Sequence, residues 1–141
     1  MKSLQATALA FLLVLLAGCN RGPRLVPVKG VATRGGKPVA FLSVSFVPAD
    51  GTRPSSSRTD EQGRFELNFD NRTKGAVVGS NKVVVAFRPR SPQEEVDVAA
   101  GKAITFHPDQ DAILKKYGKR DTTALSVEIV GPRDDLELKL D

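Results

Sequence analysis

Residues 64 to 69 read RFELNF, three apolar residues alternating with three polar ones. A period of two marks a strand with one face buried and the other in water, and a helix cannot gather such a set on one side. The alternation recurs in short stretches. Val26 and Val28 share a face with Gly30 and Ala32. Leu42, Val44 and Phe46 alternate with Ser43 and Ser45. Leu125, Val127 and Ile129 alternate with Ser126 and Glu128, and Leu136, Leu138 and Leu140 with Glu137 and Lys139. Lys82 to Phe87 is a near-continuous β-branched run, as expected of a strand covered on both faces. Turn signals separate these stretches at Arg34–Pro38, Pro48–Gly51, Asp60–Gly63, Gly79–Asn81 and Gly131-Pro132. The pattern predicts an all-β fold, an antiparallel β-sandwich of about seven strands. Its expected core holds Leu42, Val44, Phe46, Phe65, Leu67, Val83, Val85, Leu125, Val127 and Leu138. A membrane barrel would need strands of about 9 to 11 residues, and these are mostly shorter and too few.

One segment departs from this rhythm. From Arg88 to Thr122 the chain alternates no longer, and Pro89 and Pro92 forbid regular pairing at its start. Within it, PDQDAILKKYG (Pro108 to Gly118) predicts one short helix, with Asp109 or Asp111 to cap it, Lys115 and Lys116 at its end and Gly118 to stop it. Long connections in compact domains concentrate binding groups. Lys115, Lys116 and Tyr117 are therefore the candidate binding residues of a partner-facing surface. The competing reading is that the segment covers an open sheet edge, with Tyr117 as a core plug.

The N-terminus carries a different signal. Lys2 precedes an apolar run from Ala6 to Leu16, and small residues Ala17 and Gly18 follow. That is the order of a secretory signal peptide, too short for a span of about 20 residues. The only cysteine, Cys19, closes it. One cysteine cannot form an internal disulfide, and with one histidine it is too small a set for zinc. Leu16-Ala17-Gly18-Cys19 resembles the bacterial lipobox. The resemblance implies diacylglycerol on the Cys19 thiol, cleavage between Gly18 and Cys19, and residence in the cell envelope on a lipid anchor. Asn20 in place of aspartate implies delivery to the outer membrane. The chain then divides into a signal peptide (1–18), a lipidated cysteine with a short tether (19–25), and one domain (26–141). Arg21 and Arg24 could touch anionic head groups, or simply solvate the tether.

Several stretches of the domain are similar to the carboxypeptidase regulatory-like family, whose domains are immunoglobulin-like β-sandwiches of the transthyretin (prealbumin) type. VKGVATRGGKPVAFLSVSFVPADG places Val28, Gly30, Gly36, Pro38, Val39, Val44 and Phe46 on its first two strands. TDEQGRFEL (59–67) resembles its turn and strand, and GSNKVVVAF its later strand. The tail from Ala112 to Leu140 is similar to that of small lipoproteins carrying this domain, with Leu114 for a usual proline and Thr123-Ala124-Leu125 for serine-glycine-leucine. In the turns, Gly36 and Gly63 are expected at positive φ, and Asp60 is expected to accept backbone hydrogen bonds. Asp50, Asp60 and Glu61 could instead hold calcium, but no oxygen-rich loop of EF-hand spacing accompanies them.

Enzymes occur on transthyretin-type folds. The related hydroxyisourate hydrolases need several histidines, and intradiol dioxygenases need two tyrosines and two histidines. This chain has His107 and Tyr117 alone. His107 lies between Phe106 and Pro108 with no serine motif to match, and is expected as a surface or helix-start residue. No catalytic residue, metal or cofactor is assigned. The chain carries a formal net charge of +5, but its cations are scattered, which argues against nucleic-acid binding. The expectation is a non-catalytic, membrane-anchored envelope lipoprotein serving structure or protein contacts, with another envelope protein as possible partner. The alternative is a periplasmic or surface module for a glycan, peptide or small molecule. Such modules favour exposed aromatics, and this chain has no Trp and one Tyr.

Overall fold

The computed structural model describes residues 22–103 and 108–141. Residues 1–21, where the signal peptide, the Gly18–Cys19 cleavage and Arg21 are expected, and Phe106 and His107 lie outside the described residues. Among those described, no helix is long and apolar enough to cross a membrane.

Strands dominate. They are β1 (Leu25–Val26), β2 (Val28–Arg34), β3 (Lys37–Pro38), β4 (Leu42–Pro48), β5 (Ser55–Arg58), β6 (Arg64–Glu66), β7 (Ala76–Val77), β8 (Gly79–Phe87), β9 (Ser126–Ile129) and β10 (Arg133–Lys139). One four-stranded sheet centres on β2, which pairs with β10 on one edge and with β3 and β6 on the other. The second has the order β5-β4-β8-β9. β1 and β7 form a separate two-stranded pair. The inward faces of the two large sheets make one apolar cluster. Val28, Ala32, Phe65 and Leu138 meet Leu42, Val44, Phe46, Val83 and Val85 there. The rings of Phe46 and Phe65, one from each sheet, lie 6.4 Å apart and tilted by 47°. Of the ten core residues expected from periodicity, eight are buried, while Leu125 and Val127 pack against the cluster half-buried.

The expected turns at Gly36 and Gly63 take φ of 75° and 72°. At Gly63 the constraint is double, because a Cβ would fall 2.7 Å from the Ala32 carbonyl oxygen. Asp60 holds this turn. Its carboxylate accepts from the amides of Gln62 (2.9 Å) and Arg64 (2.8 Å) and from Arg64 Nε (2.9 Å). Those bonds, the Arg64 amide foremost, keep its carboxyl below the ordinary carboxylate range.

Several expectations need correction. β10 runs parallel to β2, so the sheets are not wholly antiparallel. The Gly131-Pro132 corner reverses the chain from β9 in one sheet into β10 in the other, at the end where β2 begins. β8 is not covered on both faces: Asn81, Val83 and Val85 are buried while Lys82 and Ala86 are exposed. Gly79–Asn81 belongs to that strand instead of a turn, and the buried Asn81 amide donates to the carbonyls of Val77 (3.0 Å) and Gly79 (2.9 Å). Among the described residues the strands number ten, since short β1, β3, β5 and β7 add to the expected set.

Among the described residues the long connection carries two helices, α1 (Pro92–Ala99) and α2 (Pro108–Tyr117), where one was expected. The residues that bar a strand start α1. Ser91 is its N-cap, with Oγ accepting from the Glu94 amide at 3.2 Å, and Pro92 takes the first turn. Glu94 reaches back to the Arg90 amide at 2.6 Å. α2 has Asp109 and Asp111 in its first turn and Lys115 and Lys116 in its last, matching the helix dipole. Gly118 ends it, its amide donating to Leu114 O at 2.8 Å. A Cβ at Gly118 would sit 2.4 Å from that oxygen.

Candidate functional site

The domain has two ends, and the strands define them. β8 starts beside the first described residues, where the Val78 amide donates to Arg24 O at 3.0 Å. It runs nine residues to Phe87 at the opposite end, a distance of roughly 30 Å. A cleft of about 890 Å³ opens at that far end. Its walls are the β2–β3 hairpin, the Val39–Phe41 link, Phe87 at the end of β8, Arg90, and the first turns of α2.

Local sequence explains the wall. Leu42 must enter β4 inward, where its amide donates to the buried Thr59 hydroxyl at 2.9 Å and its carbonyl accepts from the Thr59 amide. The preceding residue, Phe41, absorbs the change of direction with φ of 58°, the one positive φ at a non-glycine residue among those described. That costs about 1–3 kcal/mol, and such residues cluster at binding sites. The Arg58 guanidinium lies 5.8 Å over the Phe41 ring and donates to Pro89 O at 3.1 Å. Phe41 is thereby clamped half-buried, with Pro38, Val39 and Ile113 as its apolar neighbours in the cleft.

The rim is charged. Arg34 donates to Asp109 O at 2.5 Å and lies 3.9 Å from its carboxylate, joining the hairpin to α2. The Gly35 amide donates to Asp141 Oδ1 at 2.6 Å. Among the described residues the cleft thus combines an apolar floor with two cations, Lys37 and Arg90, whose side chains pair with no acid.

The residues expected to bind are distributed differently. Tyr117 is buried at 6% exposure, and its hydroxyl donates to Asp141 O at 2.7 Å. The phenol plugs the core and presents no face for stacking. Lys116 donates to the same oxygen, with its ammonium 5.3 Å from the Tyr117 ring centre. Lys115 is exposed and pairs with Asp111 at 3.1 Å. So Lys116 and Tyr117 fasten α2 to the body, and Lys115 faces solvent. Arg34, Lys37, Phe41 and Arg90 were not singled out from sequence. The available signal was the adjacent apolar triplet Ala40-Phe41-Leu42, which breaks the alternation where the chain must twist.

The acids considered for calcium do not converge. Asp50 follows β4 and Asp60 precedes β6, at opposite ends of the β4 strand. Asp50 accepts from the Thr52 amide at 2.8 Å, and hydrogen bonds from Thr52 lower its pKa. Among the described residues no group of three histidine, cysteine or acidic side chains could hold a metal. In comparisons with known proteins, no family model matches the chain, and neither the curated proteins nor the solved structures contain a significant match.

Proposed function

We propose that the chain is a non-catalytic envelope lipoprotein, a transthyretin-type β-sandwich held by lipid on Cys19, which engages another envelope protein through the cleft at its far end. The observation that carries this reading is the placement of two features on one strand. The tether joins the start of β8, and the cleft lies at its finish. A lipid anchor at one end would direct the other away from the bilayer. The partner segment that fits is apolar with an acidic flank. Its apolar side would cover Phe41 and Val39, and its acid would meet Lys37 and Arg90. The anchor itself rests on the lipobox-like sequence, since two or three chains on one cysteine hold far better than one. A small acidic amphiphile is the second reading, favoured by the apolar residues Pro38, Val39, Phe41 and Ile113 that line the same cleft beside Lys37 and Arg90.

The test is crosslinking in native membranes, comparing wild type with Lys37→Glu/Arg90→Glu, and reading the N-terminal peptide by mass spectrometry. The expected result is an acylated peptide beginning at Cys19 and a defined crosslinked protein that the double variant loses at least tenfold. An unmodified thiol in membrane-bound protein removes the anchor. Equal capture by both forms removes the cleft. Loss of a copurifying small molecule instead of a protein selects the second reading.

A further inference from the structure

We infer that the chain pairs with a second copy of itself along the free edge of β9, antiparallel about a two-fold axis at Val127, so that the β5-β4-β8-β9 sheet continues through both copies. The inference goes beyond the proposed function and holds with or without a lipid anchor.

β9 is the outer strand of its sheet. Leu125 O accepts from the Val83 amide at 2.9 Å, and Val127 and Ile129 stand opposite Asn81 and Gly79. Alternate residues of an antiparallel pair share its hydrogen bonds, so the backbone groups of Ser126, Glu128 and Val130 turn outward. Among the described residues none of those amides or carbonyls is bonded. The edge has apolar flanks. Leu125 and Val127 are only half-buried on the inner side, and Ala124 and Val130 are exposed on the outer. The neighbouring edge differs. β10 exposes Asp134, Asp135, Glu137 and Lys139, charges of the kind that keep an edge unpaired, whereas the one charge on β9 is Glu128.

Charge selects the occupant and the register. Lys82 stands beside Ser126 on the outer face, and neither Lys82 nor Glu128 has an ion-pair partner among the described residues. An axis at Val127 sets Ser126 opposite the partner's Glu128. Each row then runs Lys82, Ser126, the partner's Glu128, and the small serine lets the opposite charges meet above it. Leu125 meets the partner's Ile129, and Ala124 the partner's Val130. Other axes fit less well. At Ser126 each row ends in a lysine on both sides and Val130 stays uncovered. At Glu128 two glutamates oppose directly. At Ile129 the partner's Pro132 falls opposite Ser126 and has no amide to give. Antiparallel pairing also brings Lys119, Arg120 and Asp121, before β9, towards the corner after the partner's β9. There Asp134 is unpaired among the described residues, and Arg133 is held by Asp135 at 3.3 Å. One patch thus complements itself, which is what a two-fold pair requires. A four-residue edge buries little, so the pair is weak and is best read by covalent trapping.

The full chain, purified in detergent, carries Val127→Cys and is mildly oxidised. Opposed residues of a non-hydrogen-bonded pair lie about 4.5 Å apart at Cα, within disulfide reach. Peptide mass spectrometry identifies the bridge and separates it from any through Cys19, and matching unfolding midpoints confirm that the variants fold. Expected is a 127–127 bridge at least threefold above the 37–37 bridge of Lys37→Cys at the opposite end. Adding Lys82→Glu or Glu128→Lys alone should cut the yield at least threefold, and adding both should restore it. A 127–127 yield no higher than that at position 37 overturns the pairing. A larger yield from Glu128→Cys than from Val127→Cys, or no recovery in the double reversal, overturns the register and the charge argument with it.

Discussion

The two helices of the long connection start alike and end differently. Each opens with a proline and carries two acids in its first turn. α1 buries none of its residues, whereas α2 places Ile113 and Tyr117 in the core. The difference is not apolar content, since α1 has Val96 and Val98 at 60% and 42% exposure. It is spacing. Ile113 and Tyr117 are four apart and stand on one helical face, while residues two apart point to different sides. A helix joins a core by presenting a stripe, and two valines in the wrong register present none.

The largest effect should follow from breaking the stripe of α2. Ile113→Ala removes a 2%-exposed side chain from the shared cluster, and should cost about 2–5 kcal/mol. Denaturant unfolding would show it as a lower midpoint at unchanged slope. A loss under about 1 kcal/mol would mean that α2 lies on the body without belonging to it, and the contrast with α1 would vanish.

Tyr117→Phe sharpens the comparison by keeping the ring and deleting the hydroxyl. The Asp141 carbonyl would lose one donor and retain the Lys116 ammonium. The expected cost is about 0.5–1.5 kcal/mol, the value of one hydrogen bond whose acceptor stays partnered. If Tyr117→Phe is as harmful as Ile113→Ala, the polar latch and not the apolar stripe fastens the helix.

Legibility followed the same logic. Where burial had a sequence period, as in β4, β6 and β10, the alternating residues were the buried ones. β5 escaped because Ser55-Ser56-Ser57-Arg58 has no apolar period, and its place is set by backbone pairing with β4 from Ser43 to Phe46. Asn81 reads as a turn residue, yet its amide closes buried carbonyls inside β8, a role only tertiary neighbours reveal. The α1 start was present in Ser91-Pro92 and Glu94 but was masked by the stronger message of two prolines against pairing. The cleft was the least visible, since its residues come from the β2–β3 hairpin, the Phe41 link, the end of β8 and α2, and sequence distance hides their convergence.

The smallest effect belongs to α1. Its local supports are the Ser91 cap, the Arg90–Glu94 bond and a Lys102–Asp97 ion pair at 2.9 Å. All are solvent-exposed, and an exposed pair of this kind contributes between nothing and about 1 kcal/mol. Replacing both valines, Val96→Ser with Val98→Ser, removes side chains that touch no core, so global stability should move by less than about 0.5 kcal/mol. Hydrogen exchange gives the matching view. Amides of α1 should exchange through local opening, and those around Ile113 and Tyr117 only when the whole domain unfolds. A double variant that lost more than about 1.5 kcal/mol, or α1 amides as protected as those of α2, would show that register does not separate the helices. The two would then have to share a partner surface in the folded body.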